Sequence, residues 1–340
     1  MRGVLAFVAV STAVLAPVAA AAQTQGGTLR ISHRDNPPSA SIHEESTISV
    51  NQPFMGVFNN LVVFDPKEKR NSPDHIVPDL AESWAWDESK TRLTFKLRSG
   101  VKWHDGKPFT AADVKCTFDA VSGLNEDDKN PIVRKSPRKL WYNNLKEVKP
   151  NGDLEVTFVL GRPQPSFLTM LAGGYSPVYS CHVSDRIMRS RPVGTGPFKV
   201  VDFKRNESIK LVRNPDYWKK GKPYLDAIEW KIVPNRSTRL LGFQSGEFDM
   251  TFESDVTFPL LKDVKANKPS AVCEGRPSNV NTNLLVNRDS PPFDNADIRR
   301  AMVLALDNKS FSDILSQGND LDGAVMLPPP NGFWGMPKEM

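Results

Sequence analysis

Cys181 and His182 stand side by side, a thiol next to an imidazole, which are the residue types of a nucleophile and its general base. Adjacent residues rarely turn toward one another, and no third group is spaced to orient the ring, so the pair reads as incidental. His104-Asp105-Gly106 has the vocabulary of an acid–base pair, but it lies in a turn between a strand and a helix and reads as turn chemistry. The five histidines, His33, His43, His75, His104 and His182, show neither i, i+4 pairing nor the carboxylate spacing of a metal centre, and are expected on the surface and in turns. Gly194 to Phe198, "GTGPF", opens like a phosphate loop but leads into a strand, so the helix N-terminus that would hold a phosphate is missing. No motif supplies paired carboxylates suited to hydrolysis. The reading therefore names no catalytic residue, no metal ligand and no cofactor, and favours binding over catalysis.

The elements that would position these residues are short and numerous. Leu29 and Ile31 alternate with polar neighbours in "GGTLRIS", as a first strand would, and a polar loop with adjacent prolines follows. In "RLTFKLRSGVKWHDGKPFTAADVKCTF", Leu93, Phe95 and Leu97 share one face of a strand. Thr110 and Asp113 then form a variant capping box that opens a helix burying Val114, Phe118 and Val121. Further strands are expected over 153–160, in a hairpin with its tip at 204–207, and through Ile228, Trp230 and Ile232. Helices are expected over 165–173, ended by Gly173, and from Asn235 to a stop at Gly246, after which Phe248, Met250 and Phe252 read as a strand. A strand through Val280, Thr282 and Leu284 precedes a helix from Asn295 with Ile298, Met302 and Ala305 as its buried stripe, and a second helix begins near Ser310. Strands alternating with helices place the chain in the α/β class with mixed sheets.

Composition narrows the functional classes. Charged residues make up 24% and hydrophobic ones 39%, as in an ordinary folded protein. The net charge of +5 is spread through interleaved acidic and basic residues, which argues against a nucleic-acid partner. Arg2, the apolar run Val4 to Val18 and the small residues Ala20-Ala21-Ala22 predict a signal peptide over 1–22, so an exported, soluble protein is expected. Cys116, Cys181 and Cys273 then make one disulfide and one leftover thiol the simplest arithmetic, with the pairing open and a partner beyond residue 340 as the alternative. A new lobe begins about residue 278, only about 60 residues before the end, and the tail "MLPPPNGFWGMPKEM" holds no closing element. The expectation is a chain whose second lobe is incomplete.

Three blocks carry a family resemblance. "VPDLAESWAWDESKTRLTFKLRSGVKWHDGKPFTAADV" closely resembles the signature of the family 5 extracytoplasmic solute-binding proteins of ABC importers. The run from Val193 to Met250, with its GTGP turn, "NPDYW" and "SGEFD", is similar to the family's central stretch, and "NTNLLVNRDSPPFDNADIRRAMVLALDNKSF" to its lobe-crossing strand and helix. The resemblance implies a two-lobed periplasmic-binding-protein-like fold of class II type with an extra subdomain. Lobe I would be residues 23–277, including an inserted subdomain at about 56–189, and lobe II would start at 278–340. It implies capture of a small solute between the lobes, with di- or oligopeptides leading, and delivery to an inner-membrane ABC permease and its ATPase subunits. A monomer in the periplasm, without cofactor, is implied. Nickel chelates, opines and oligosaccharides are the alternatives, seven tryptophans keeping stacked sugars open, as is an enzyme or sensor on the same scaffold. Within the implied cleft, Glu45, Ser46 and Thr47 after the first strand and Tyr175 in "AGGYSPVY" are expected to contact ligand.

Overall fold

A computed structural model describes residues 24–68, 71–125, 132–252, 254–274 and 284–318. The strands in chain order are β1 Thr28–His33, β2 Val62–Phe64, β3 Ile76–Pro78, β4 Ala81–Trp86, β5 Arg92–Leu97, β6 Leu145–Pro150, β7 Glu155–Leu160, β8 Phe198–Lys204, β9 Ser208–Arg213 and β10 Ala227–Ile232. The helices are α1 Ile48–Phe54, α2 Ala111–Ser122, α3 Ser166–Ala172, α4 Asp185–Met188, α5 Arg236–Ser245, α6 Phe258–Asn267, α7 Ala296–Ala305 and α8 Asn308–Ser316.

Two four-stranded sheets organise these elements. The first runs β1-β10-β9-β8, with β1 parallel to β10 and the remaining pairs antiparallel. The second, β4-β5-β7-β6, is wholly antiparallel. Leu93, Phe95 and Leu97 turn inward from β5 as the alternation requires, at 0%, 0% and 3% exposure. Phe158 on β7 meets Phe95 and Phe118 edge-on at ring separations of 5.7 and 5.0 Å, and so joins α2 to the sheet.

Asp113 does more than close the cap of α2. Its carboxylate accepts the Thr110 amide at 3.0 Å, the Trp103 indole at 3.3 Å and the Cys181 amide at 3.1 Å, so one residue anchors the turn before α2 and the segment that leads into α4. Cys116 on α2 is bonded to Cys181, with the Cα atoms 6.0 Å apart, and Cys273 is a free, exposed thiol.

The Gly194–Gly196 turn fastens the two sheets together. His104 N donates to Gly194 O at 2.9 Å, and Gly196 N donates to Val57 O at 2.9 Å. A Cβ on Gly194 would sit 1.9 Å from Val57 O, so the glycines are there to let two backbones touch, as the structural reading of "GTGPF" requires.

Some sequence expectations give way. Residues 248–252 meet β1 at a single bridge, Ile31 to Met250, and not as a strand. The cause is Asp249, whose side chain takes the Arg30 amide at 2.8 Å and its guanidinium at 2.7 Å, occupying the donors a ladder would use. In α7 no residue is buried, and Ile298 is 39% exposed, because no described element covers its apolar stripe. Val280 and Thr282 lie outside the described residues, as does the segment 1–23, and Leu284 is not in a strand. His33 and His43 are core residues, not surface ones. Each donates its Nε2–H to a backbone carbonyl, Ser49 O at 2.9 Å and Pro177 O at 2.7 Å.

Candidate functional site

The loop between β1 and α1 is held by side chains that point into the protein. Ile42, His43 and Glu44 are all buried. Burial drives the His43 imidazole down to about 3, so the neutral ring donates its Nε2 proton to Pro177 O while stacking edge-on to Tyr179 with centroids 4.5 Å apart. The Glu44 carboxylate accepts the Arg134 amide at 2.8 Å and pairs with the Arg189 guanidinium. A loop fixed at three successive residues presents the next three, Glu45, Ser46 and Thr47, in one conformation.

Those three residues differ in availability. The Glu45 carboxylate accepts from Ser39 Oγ at 3.0 Å and lies 3.7 Å from Lys135 and 3.9 Å from Arg189, so it is already engaged. Ser46 and Thr47 are exposed. Thr47 precedes α1 and caps it through its carbonyl, which accepts Val50 N at 3.2 Å and Asn51 N at 3.3 Å, while its side chain makes no capping bond.

Arg138 joins this loop to Tyr175. It opens the 3-10 turn Lys139–Tyr142 and is only 5% exposed. Its Nη1 donates to Glu45 O at 2.8 Å and its Nη2 to Ile42 O. The guanidinium carbon lies 4.4 Å from the centre of the Tyr175 ring and 5.6 Å from that of Trp141. Trp141 and Tyr175 meet nearly at right angles, 6.3 Å apart, forming a corner. Beneath them Tyr142 is buried, its hydroxyl 3.2 Å from Ser176 Oγ. Burial lowers the Arg138 pKa from its ordinary value, the mark of a cation taken out of water, and among the described residues no carboxylate stands within ion-pair distance of it.

The structure thus brings Glu45, Ser46, Thr47 and Tyr175 into one neighbourhood, with Arg138 as the hub and Trp141 as an added wall. Arg138 is absent from the expectations because Arg-Lys in "SPRKLWY" looks like any solvated basic stretch. Its burial is visible only in three dimensions. The exposed Leu140 and Trp141, 80% and 48%, were the available hint, since large apolar side chains on a short turn have little structural reason to face water. The cluster offers a cation, aromatic faces and free hydroxyls. It offers no nucleophile with a base.

The other sequence candidates resolve elsewhere. Cys181 carries no thiol to attack with, being in the disulfide. His182 Nε2 pairs with Asp105 Oδ2 at 2.6 Å, fastening the segment after the disulfide to the turn before α2. His104 bonds Gly196 O at 3.0 Å and accepts the Gly194 amide at 3.3 Å, and burial pushes it down to about 4. An open, mostly apolar hollow of about 260 Å³ between α7 and α8 is walled by Leu306, Phe311, Ile314 and Leu315, with Asp307 and Ser310 as its polar lining residues.

Comparison with known proteins gives this geometry its context. Residues 75–339 match the bacterial extracellular solute-binding proteins, family 5, middle region. Heme-binding protein A of Haemophilus influenzae is 32% identical over 301 residues, covering 83% of this chain and 53% of that protein. A probable di/tripeptide-binding protein 5 of Pseudomonas aeruginosa is 26% identical over 344 residues, covering 96% of this chain and 63% of the relative. The oligopeptide-binding protein AppA of Bacillus subtilis, solved in complex with a nonapeptide, superposes with a TM-score of 0.72 at 26% identity, covering 93% of this chain and 60% of AppA. The chain spans between about half and two thirds of the length of these proteins. With that match covering residues 75–339, well over half of its length, the chain is a member of the bacterial extracellular solute-binding protein family 5.

Proposed function

We propose that this protein is the solute-capturing component of an ABC importer, and that it acts without chemical turnover. The observation that carries the reading is the family match over residues 75–339. The convergence of the loop after β1, the Arg138 turn and Tyr175 supports it as a place for a solute to rest. The solute sits against Ser46, Thr47 and Tyr175, with Glu45 holding the loop from behind. Lobe I comprises residues 23–277, with a subdomain inserted at about 56–189, and lobe II starts at 278. The lobes close on the solute by hinge motion, and the closed monomer presents it to a membrane permease driven by separate ATPase subunits. A signal peptide over residues 1–22 delivers the protein to the periplasm.

Di- or oligopeptides lead as the solute, supported by the di/tripeptide-binding relative and by the peptide bound in AppA. The test is to purify the exported protein, denature it and identify what is released by mass spectrometry. A mixture of short peptides supports the peptide reading. One non-peptide solute keeps capture and changes the substrate, and an empty protein that turns over a test substrate overturns the capture reading.

A further inference from the structure

Most buried charges among the described residues come with opposite charges, while Asp113, 6% exposed, is held by neutral donors instead. Arg239, 4% exposed, pairs with Asp255, 1% exposed, at 2.5 Å. Asp79, 2% exposed, pairs with Lys219 at 2.6 Å, and buried Glu44 pairs with Arg189. Pairing is expected, because a lone ion removed from water is costly. Of the two buried arginines, Arg239 has a carboxylate partner and Arg138 has none among the described residues. Two backbone carbonyls satisfy some of its donors, yet carbonyls carry no net charge, and among the described residues no carboxylate reaches it. Its aromatic neighbour Tyr175 offers only a ring face, 4.4 Å from the guanidinium carbon, which brings no counter-charge.

The surface beside Arg138 is also unusual. Trp141 is 48% exposed and Leu140 80% exposed, next to the free hydroxyls of Ser46 and Thr47. Trp141 meets Tyr175 at 87° and has the Arg138 guanidinium 5.6 Å from its ring centre, yet about half of the side chain stays exposed to a stacking partner. An uncompensated cation beside an exposed aromatic face suits a ligand with an anionic head and a flat body.

We propose that Arg138, Trp141 and Tyr175 form a subsite for a carboxylate-bearing solute whose adjoining group is flat and unsaturated or aromatic. This deepens the solute-capture reading and rests on it. The carboxylate supplies the counter-charge that Arg138 lacks, reaching the guanidinium N–H groups that Glu45 O and Ile42 O leave unused. The ring stacks on Trp141, and Ser46 and Thr47 hydrogen-bond its polar edge.

Indole-3-acetate and its uncharged counterpart indole-3-acetamide are the probes, titrated into the purified chain by calorimetry and followed on the tryptophan indole N–H signals by NMR. The acid should bind saturably and at least tenfold more tightly than the amide. Arg138→Gln should bring the two to equal affinity. Trp141→Leu, at an exposed side chain that leaves the core intact, should weaken both probes severalfold while the acid stays preferred, and this variant keeps the test decisive should Arg138→Gln fail to fold. Equal affinity for acid and amide in the parent protein, no saturable binding of either, an acid preference that survives Arg138→Gln, or indifference to Trp141→Leu would each overturn the subsite. Failure of the capture reading shows differently, as an exported protein that releases no solute on denaturation.

Discussion

At the scale of single residues, the histidines have consequences for acid stability. Burial holds His43 at about 3 and His104 at about 4, against an ordinary 6.5 in the unfolded chain. Between those values the unfolded chain binds protons that the folded chain refuses. Stability from each ring is therefore complete above about pH 6.5 and is lost as the pH falls, at about 1.4 kcal/mol per pH unit per histidine. Urea unfolding at pH 7 and pH 5 should show this loss, and His43→Gln, which can still donate to Pro177 O, should flatten the dependence. A slope unchanged by the substitution would count against a neutral buried imidazole at 43. A second residue-scale expectation concerns Asp255. Its removal leaves Arg239 buried without a partner, so Asp255→Ala should cost about 3 to 5 kcal/mol in equilibrium unfolding, whereas replacing an exposed pair such as Lys231 with Glu247 should cost less than about 1 kcal/mol.

At the scale of elements, the turn and the disulfide make opposite kinds of demand. Gly194→Ala places a methyl group against Val57 O, so a loss of about 3 kcal/mol or more is expected, since neither backbone can yield without separating the sheets. The Cys116–Cys181 bond closes a loop with a sequence separation of 65. On a chain-entropy basis its removal, as Cys116→Ala with Cys181→Ala, should cost about 4 kcal/mol, with hydrogen exchange rising mainly in α2 and the segment it holds. A melting temperature unaffected by reduction would reject that estimate. The same elements show what local pattern can and cannot disclose. β5 and α2 were legible because strict alternation and a Thr-Asp cap are local signals. β6, with Leu145 and Val148 its buried hydrophobic residues among charged neighbours, carries no alternation and is fixed as a strand by pairing with β7. Residues 248–252 had the alternation of a strand, but a carboxylate three-dimensionally opposite Arg30 decided the outcome. Sequence spacing likewise left the cysteine partners open, and only the packing of α2 against the segment after Tyr179 selects Cys116 and Cys181.

At the scale of the whole molecule, apolar surface is unevenly covered. Val303, Leu304, Ile314 and Leu315 on α7 and α8 are 64%, 79%, 72% and 55% exposed, whereas the interior around β5, β7 and α2 is almost sealed. The 340-residue chain should therefore bind a hydrophobic dye such as ANS, and Leu304→Glu with Ile314→Glu should lower the signal without changing thermal stability by more than about 1 kcal/mol. An unchanged signal would mean the dye reads another surface. The candidate site shows the same division between local and global information. The loop residues Glu45, Ser46 and Thr47 and the aromatic Tyr175 were proposed from resemblance, while Arg138 joins the candidate site only once two segments more than ninety residues apart close around it. β1 extends that logic to the timing of folding. Its ladder partner β10 and its clamp Asp249 lie about 200 residues downstream, so the first strand out of the ribosome has nothing to pair with until most of the chain has followed it. The amino-terminal end is consequently the last part of its sheet to be locked, whereas β4 to β7 find all their partners within residues 81–160 and can pair while β1 still waits.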